Sequence, residues 1–243
     1  MKSLKLALCF VLTFVLILTA AVFTSAAEGS VSDTSTEQDS LNLGDANGDI
    51  RVNSTDLALL KRYIGGIITD FPYEEALYTM DVNFDGFINS TDFSYLKRYI
   101  IEVISEFPVS EAVKQMPEKV FEYNYENHAW SDYNNGFYVD NKGNVHAYDK
   151  IKNTDEIIGS VPMVELQRMY ILLAKASTGS ITEPSNFMAD AGTIKINGYL
   201  STGDAPKEVL LFRGGNYKQY NQSPYADYIM DWFEGVCGVN REL

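Results

Sequence analysis

Residues 45–64 read DANGDIRVNSTDLALLKRYI, and residues 81–100 read DVNFDGFINSTDFSYLKRYI, thirty-six positions later. Setting 45–80 against 81–116 gives 18 identities in 36 positions. The match outlasts the twenty-mer: Phe71-Pro72 recurs as Phe107-Pro108, Glu75-Ala76 as Glu111-Ala112, and Met80 as Met116. Pro117 then breaks the register, so the duplicated unit covers about 43–116. Two copies are too few for a solenoid, and a pseudo-twofold pair is expected.

Counted from its first Asp, each copy places oxygen-bearing side chains at positions 1, 3, 5, 9 and 12. These are Asp45, Asn47, Asp49, Asn53 and Asp56, then Asp81, Asn83, Asp85, Asn89 and Asp92. Position 7 can add a main-chain carbonyl, from Arg51 and Phe87. Calcium takes six to eight oxygen ligands, and the twelve-residue EF-hand loop uses this spacing. Position 8 is β-branched, Val52 and Ile88, as expected where paired loops touch through a short β bridge. Ser-Thr-Asp opens a helix after each loop. Leu57, Leu60 and Ile64, then Phe93, Leu96 and Ile100, can each share one apolar face.

Position 12 is Asp rather than the longer Glu, so each loop must close more tightly. No amphipathic helix precedes Asp45, because SLNLG is short and holds a glycine. The unit is loop–helix. These features resemble the type I dockerin family, and the likeness covers about 43–116. The resemblance implies an all-α module of two EF-hand-like calcium loop–helix repeats, with two Ca2+ sites and the cohesin module of a scaffoldin protein as partner. It also implies cohesin contacts at Ser54, Thr55, Lys61 and Arg62 and again at Ser90, Thr91, Lys97 and Arg98. Because both copies keep these residues, docking in two orientations related by about 180° is implied. Asn53 and Asn89 also begin glycosylation sequons, a reading set aside because each is wanted as a loop ligand.

Loop position 6 calls for glycine. Gly86 supplies it in the second copy, whereas the first has Ile50, with its glycine at Gly48. A β-branched residue at positive φ is strained by about 1–3 kcal/mol. The Asp45 loop is therefore expected to bind calcium less tightly than the Asp81 loop.

Residues 1–27 place Lys2 and Lys5 before an apolar run from Leu6 to Phe23, then the small residues Ser25-Ala26-Ala27. That is the plan of a secretory signal peptide. The run could also span a membrane, but the small-residue exit favours cleavage. Residues 28–41 read as a flexible linker. After cleavage, 19 basic residues less Lys2 and Lys5 face 33 acidic ones, a formal charge of −16. Such a surface argues against nucleic acid or an anionic membrane as partner. Cys237 then stands alone, so no intramolecular disulfide or thiolate zinc cluster can form.

The expected order is signal peptide 1–27, linker 28–41, dockerin module 42–116 and a separate α+β domain at 118–243. In that last part VFEYNY, TIKINGYL and KEVLLF read as strands, and GFYVDNKGNVHAYD as a hairpin about Asn141–Asn144. Ser160 is expected to cap a helix running to about Lys175, with Pro162 in its first turn. Ser223 and Pro224 should start a last helix with Ile229, Trp232, Phe233 and Val236 on its apolar face. No catalytic motif stands out. If this part hydrolyses plant cell-wall polysaccharide, Glu122, Glu126, Asp132, Asp140 and Asp149 are candidate carboxylates. If it only binds, Tyr123, Tyr125, Trp130 and Tyr133 are candidate sugar platforms, though core packing suits them as well. His128 and His146 read first as surface or hydrogen-bonded histidines.

Overall fold

The computed structural model describes residues 41–129, 132–183, 192–203, 205–215 and 217–239. The expected signal peptide, nearly all of the expected linker, and Trp130 lie outside these residues. The described residues fall within one compact unit, Glu37–Leu243.

The first copy runs from the Asp45 loop into α1 (Ser54–Ile64), then α2 (Ala76–Thr79). The second runs from the Asp81 loop into α3 (Ser90–Ile100), then α4 (Pro108–Lys114). The Ser-Thr-Asp signal works through a reciprocal cap. Asn53 Oδ1 accepts from Thr55 N at 2.7 Å, and Asp56 Oδ2 accepts from Asn53 N at 2.8 Å. Asn89, Thr91 and Asp92 repeat both bonds at the same distances. The sequence offset recurs in space. Leu60 and Leu96 are fully buried, and Tyr63 stacks on Phe71 as Tyr99 stacks on Phe107, each at 4.5 Å between ring centres. Leu57 and Phe93 are half-buried, whereas Ile64 is exposed. Among the described residues no helix precedes Asp45, and no strand pairing joins Val52 to Ile88. The expected β bridge is absent, and both side chains pack sideways against the repeat core instead.

Beyond Pro117 the chain forms a separate eight-stranded antiparallel sheet. Its strands are β1 (Lys119–Asn127), β2 (Tyr133–Asp140), β3 (Asn144–Asp149), β4 (Thr154–Ser160), β5 (Ile181–Thr182), β6 (Thr193–Leu200), β7 (Lys207–Gly215) and β8 (Gln219–Asn221). They lie in the order β4-β3-β2-β1-β6-β7-β8-β5. The β2–β3 hairpin turns where expected, because Asp140 Oδ1 accepts from Lys142 N and Asn144 N. Gly143 there has φ 82°, and a Cβ would stand 2.6 Å from Val161 O.

Helices α5 (Met163–Ala176) and α6 (Pro224–Cys237) pack against the sheet and each other. Phe121, Ile194, Ile196, Leu211, Ile229 and Phe233 fill that core, and the Phe121 ring meets Trp232 edge-on at 5.3 Å. The helix that begins near 160 differs from expectation at its start. Ser160 belongs to β4, Pro162 is the N-cap, and the helix opens at Met163. The edge pairing to β3 claims Ser160 first. Tyr123 and Tyr125, offered as sugar platforms, pack against the helix-side core. Among the described residues no helix is long and apolar enough to cross a membrane.

Candidate cation loops and docking surface

In the first loop the acidic side chains turn inward and organise the main chain. Asp45 Oδ1 accepts from Asn47 N and Gly48 N, and its Oδ2 from Ile50 N at 2.8 Å. Asn47 Oδ1 accepts from Asp49 N, and Asp49 Oδ1 from Arg51 N. Asp56 closes the circle, its Oδ1 taking Ala46 N at 2.9 Å. The second loop repeats the scheme. Asp81 accepts from Asp85 N and Gly86 N, Asn83 from Asp85 N, Asp85 from Phe87 N, and Asp92 from Asn83 N.

Positive φ also follows the repeat. Positions 4 and 6 are left-handed in both loops: Gly48 (79°) and Ile50 (68°), then Phe84 (64°) and Gly86 (89°). Ile50 is indeed strained, as its sequence suggested. However, Phe84 carries the matching strain in the other copy. Each loop has one glycine and one non-glycine at these positions, so strain alone does not rank them.

Asp45, Asp56, Asp81 and Asp92 have no solvent exposure. Among the described residues no basic side chain pairs with Asp45, Asp49 or Asp56. Burial pushes Asp92 up to about 6 against the hydrogen bond from Asn89 N. Buried carboxylates without a counter-charge are costly, and a hard divalent cation with oxygen preference would satisfy them. Among the described residues no three acidic, histidine or cysteine side chains converge tightly enough to hold an ion alone. A cation in these loops would therefore also need oxygens such as those of Asn47 and Asn83 and the carbonyls of Arg51 and Phe87. Asn53 and Asn89 already cap helices through Oδ1, which suits a loop position often bridged by water.

Ser54, Thr55, Lys61 and Arg62 are all exposed on α1, and so are Ser90, Thr91, Lys97 and Arg98 on α3. Arg98 lies 5.7 Å from the Tyr95 ring centre. The two sets repeat at one offset on equivalent helices.

Residues 43–101 match the family described as the dockerin type I domain. This part of the chain is a type I dockerin. The chain is 50% identical to part of a type I cohesin–dockerin complex from Clostridium thermocellum, covering 27% of this chain and 94% of that one, at TM-score 0.27. It is 37% identical to part of a cohesin–dockerin complex from Acetivibrio cellulolyticus, covering 28% of this chain and 93% of that one, at TM-score 0.28. No curated protein matches the chain.

Both copies of the dockerin rest on α5. Phe84 stacks on Tyr170 at 5.2 Å. Ile171 is fully buried within the dockerin core. Arg168 pairs with Glu75 and lies 5.6 Å from the Tyr78 ring centre. Lys175, 3% exposed, places Nζ 3.6 Å from Asp81 Oδ2. Burial disfavours both charges, raising Asp81 and lowering Lys175 from their ordinary values despite their attraction. Sequence reading missed Lys175. The available signal was one lysine inside the apolar run Met169–Ala176.

The candidate carboxylates of the sheet are held in bonds of their own. Burial alone would raise Glu122, but hydrogen bonds from Lys119 and Tyr199, with Tyr148, hold it below the ordinary value. Asp140 is likewise held low by Asn144 despite burial, and Asp149 by Lys152. Glu126 accepts from Asn134, and Asp132 faces His128 at 3.1 Å. A glycosidase acid needs a raised value, whereas Glu122, Asp140 and Asp149 are held low. His146 lies between Asp155 at 2.8 Å and Asp140 at 3.4 Å, and its ring stacks on Tyr138. Tyr133 is exposed at the start of β2. Cys237 is buried at the end of α6, its thiol pushed up to about 12 by burial.

Proposed function

We propose that this chain is a secreted cellulosome component that docks onto a cohesin module of a scaffoldin, with calcium in both EF-hand-like loops. Asp45, Asn47, Asp49, Asn53, Asp56 and the Arg51 carbonyl hold one ion. Asp81, Asn83, Asp85, Asn89, Asp92 and the Phe87 carbonyl hold the other. The ions neutralise the buried carboxylates and so add to folding free energy. The sheet region is the cargo, delivered to plant cell-wall polysaccharide.

The observation that carries this reading is the exposure of all eight Ser-Thr and Lys-Arg residues in two equivalent sets. A surface offered twice supports docking in either of two orientations. The test is capture of the full chain on an immobilised cohesin, with and without EDTA. Capture is expected only without chelator, and capture that survives it sinks the reading. Replacing Lys61 and Arg62 by Ala should leave docking through the other copy within about threefold. Replacing all four basic residues should weaken it at least about a hundredfold, the loss of several charge-assisted contacts.

A further inference from the structure

The two dockerin loops differ most in what lies against them. Ile50 of the first loop is 68% exposed. At the equivalent Gly86, a Cβ would stand 2.8 Å from Ala174 O and 2.9 Å from Thr178 Cγ2. The end of α5 thus sits directly on the second loop, and glycine is required there for space as well as for φ. From that helix end Lys175 reaches Asp81, the first ligand position, with Nζ 3.6 Å from Oδ2. The ammonium is buried, lies 5.8 Å from the Tyr225 ring centre, and also feels the charges of Asp85 and Asp92. No basic side chain among the described residues does this for Asp45.

We infer that Lys175 acts as a built-in competitor at the second loop, making the Asp81 site the weaker of two calcium sites and the Asp45 site the stronger. A divalent ion bound among Asp81, Asp85 and Asp92 lies within several ångströms of a fixed, poorly screened positive charge. Repulsion at that range is enough to lower affinity about tenfold or more. The effect outweighs backbone strain, because each loop carries one strained non-glycine residue. By reciprocity of linkage, an ion in the second loop also loosens the hold of the α5 end on the dockerin. Calcium concentration would then set how firmly cargo and dockerin are joined.

This rests on the calcium reading above. The test is calorimetric calcium titration of the full chain. Two sites at least about tenfold apart are expected. D81A should remove the weaker, D45A should remove the stronger, and K175M should bring the two within about threefold. Two equal sites in the wild type, or loss of the stronger site in D81A, would overturn the inference even if K175M fails to fold. No calcium uptake at all would instead overturn the calcium reading, and this inference with it.

Discussion

Phe84 holds a left-handed backbone, φ 64°, and its ring lies 5.2 Å from that of Tyr170, which is fully buried and 86 positions further along the chain. A bulky residue in that conformation costs about 1–3 kcal/mol. The stack, about 0.5–1.5 kcal/mol, and the burial of the ring offset the cost. The strained loop residue is thus held by Tyr170 of α5 as well as by the dockerin core it packs against.

Phe84→Ala should therefore destabilise the calcium-loaded chain by about 2 kcal/mol in urea unfolding, since it loses the stack and keeps the strain. Phe84→Gly should cost about 1 kcal/mol less than Phe84→Ala. Equal losses would show that φ at this position carries no strain.

Ile50→Gly and Gly86→Ala should move stability in opposite directions. Ile50 is exposed at φ 68°, so glycine relieves strain at little loss of packing and should stabilise by about 0.5–1 kcal/mol. Gly86→Ala adds a methyl group against Ala174 O at positive φ and should cost about 2 kcal/mol or more. Thermal unfolding in calcium reads both, and a stable Gly86→Ala would mean that α5 can retreat.

Arg168 and Glu75 join the two regions, with each side chain 28% exposed. Partial exposure limits the pair to about 1 kcal/mol. A double-mutant cycle with Arg168→Ala and Glu75→Ala should return a coupling of about that size. A coupling near zero would leave the contact between the two regions resting on Phe84, Ile171 and Lys175.

Chelated protein should lose stability as pH rises from 4.5 to 6.5. Burial raises Asp92 to about 6 and also raises Asp81, so the folded state holds protons in this window that the unfolded chain releases. Asp92 alone accounts for about 2–3 kcal/mol. Glu122, Asp140, Asp149 and Asp155 are held low. Their contribution is present above the unfolded value and is lost only at more acid pH, outside this window. Calcium should flatten the profile. Guanidine titrations across the range check it, and a chelated chain that grows more stable with pH would contradict the assignment.

The dockerin half was legible because its pattern is local. The Ser-Thr-Asp caps and the Leu60/Leu96 faces act within one repeat, and each recurs in the other. The strands seen in sequence were those with clear alternation or a turn signal, such as β2–β3 about Gly143. Strand β4 was hidden because it is exposed along its whole length, so no burial period marks it, and its end took the Ser160 expected to cap a helix. Lys175 and Phe84 were missed for another reason. Their meaning comes from a contact between distant parts of the chain, which neither copy encodes. The contrast of Ile50 with Gly86 was visible but explained by strain, whereas the structure adds the backbone of α5 pressing on Gly86.

Ile171 completes the dockerin core from well beyond Pro117. A graft of residues 42–116 onto another protein would leave behind a side chain buried in its core, along with the Tyr170 ring stacked on Phe84. The module alone is therefore expected to be less stable than with α5 attached. Its natural unit of transplantation reaches through α5, and any chimera built at the repeat boundary would inherit an apolar wound on one side.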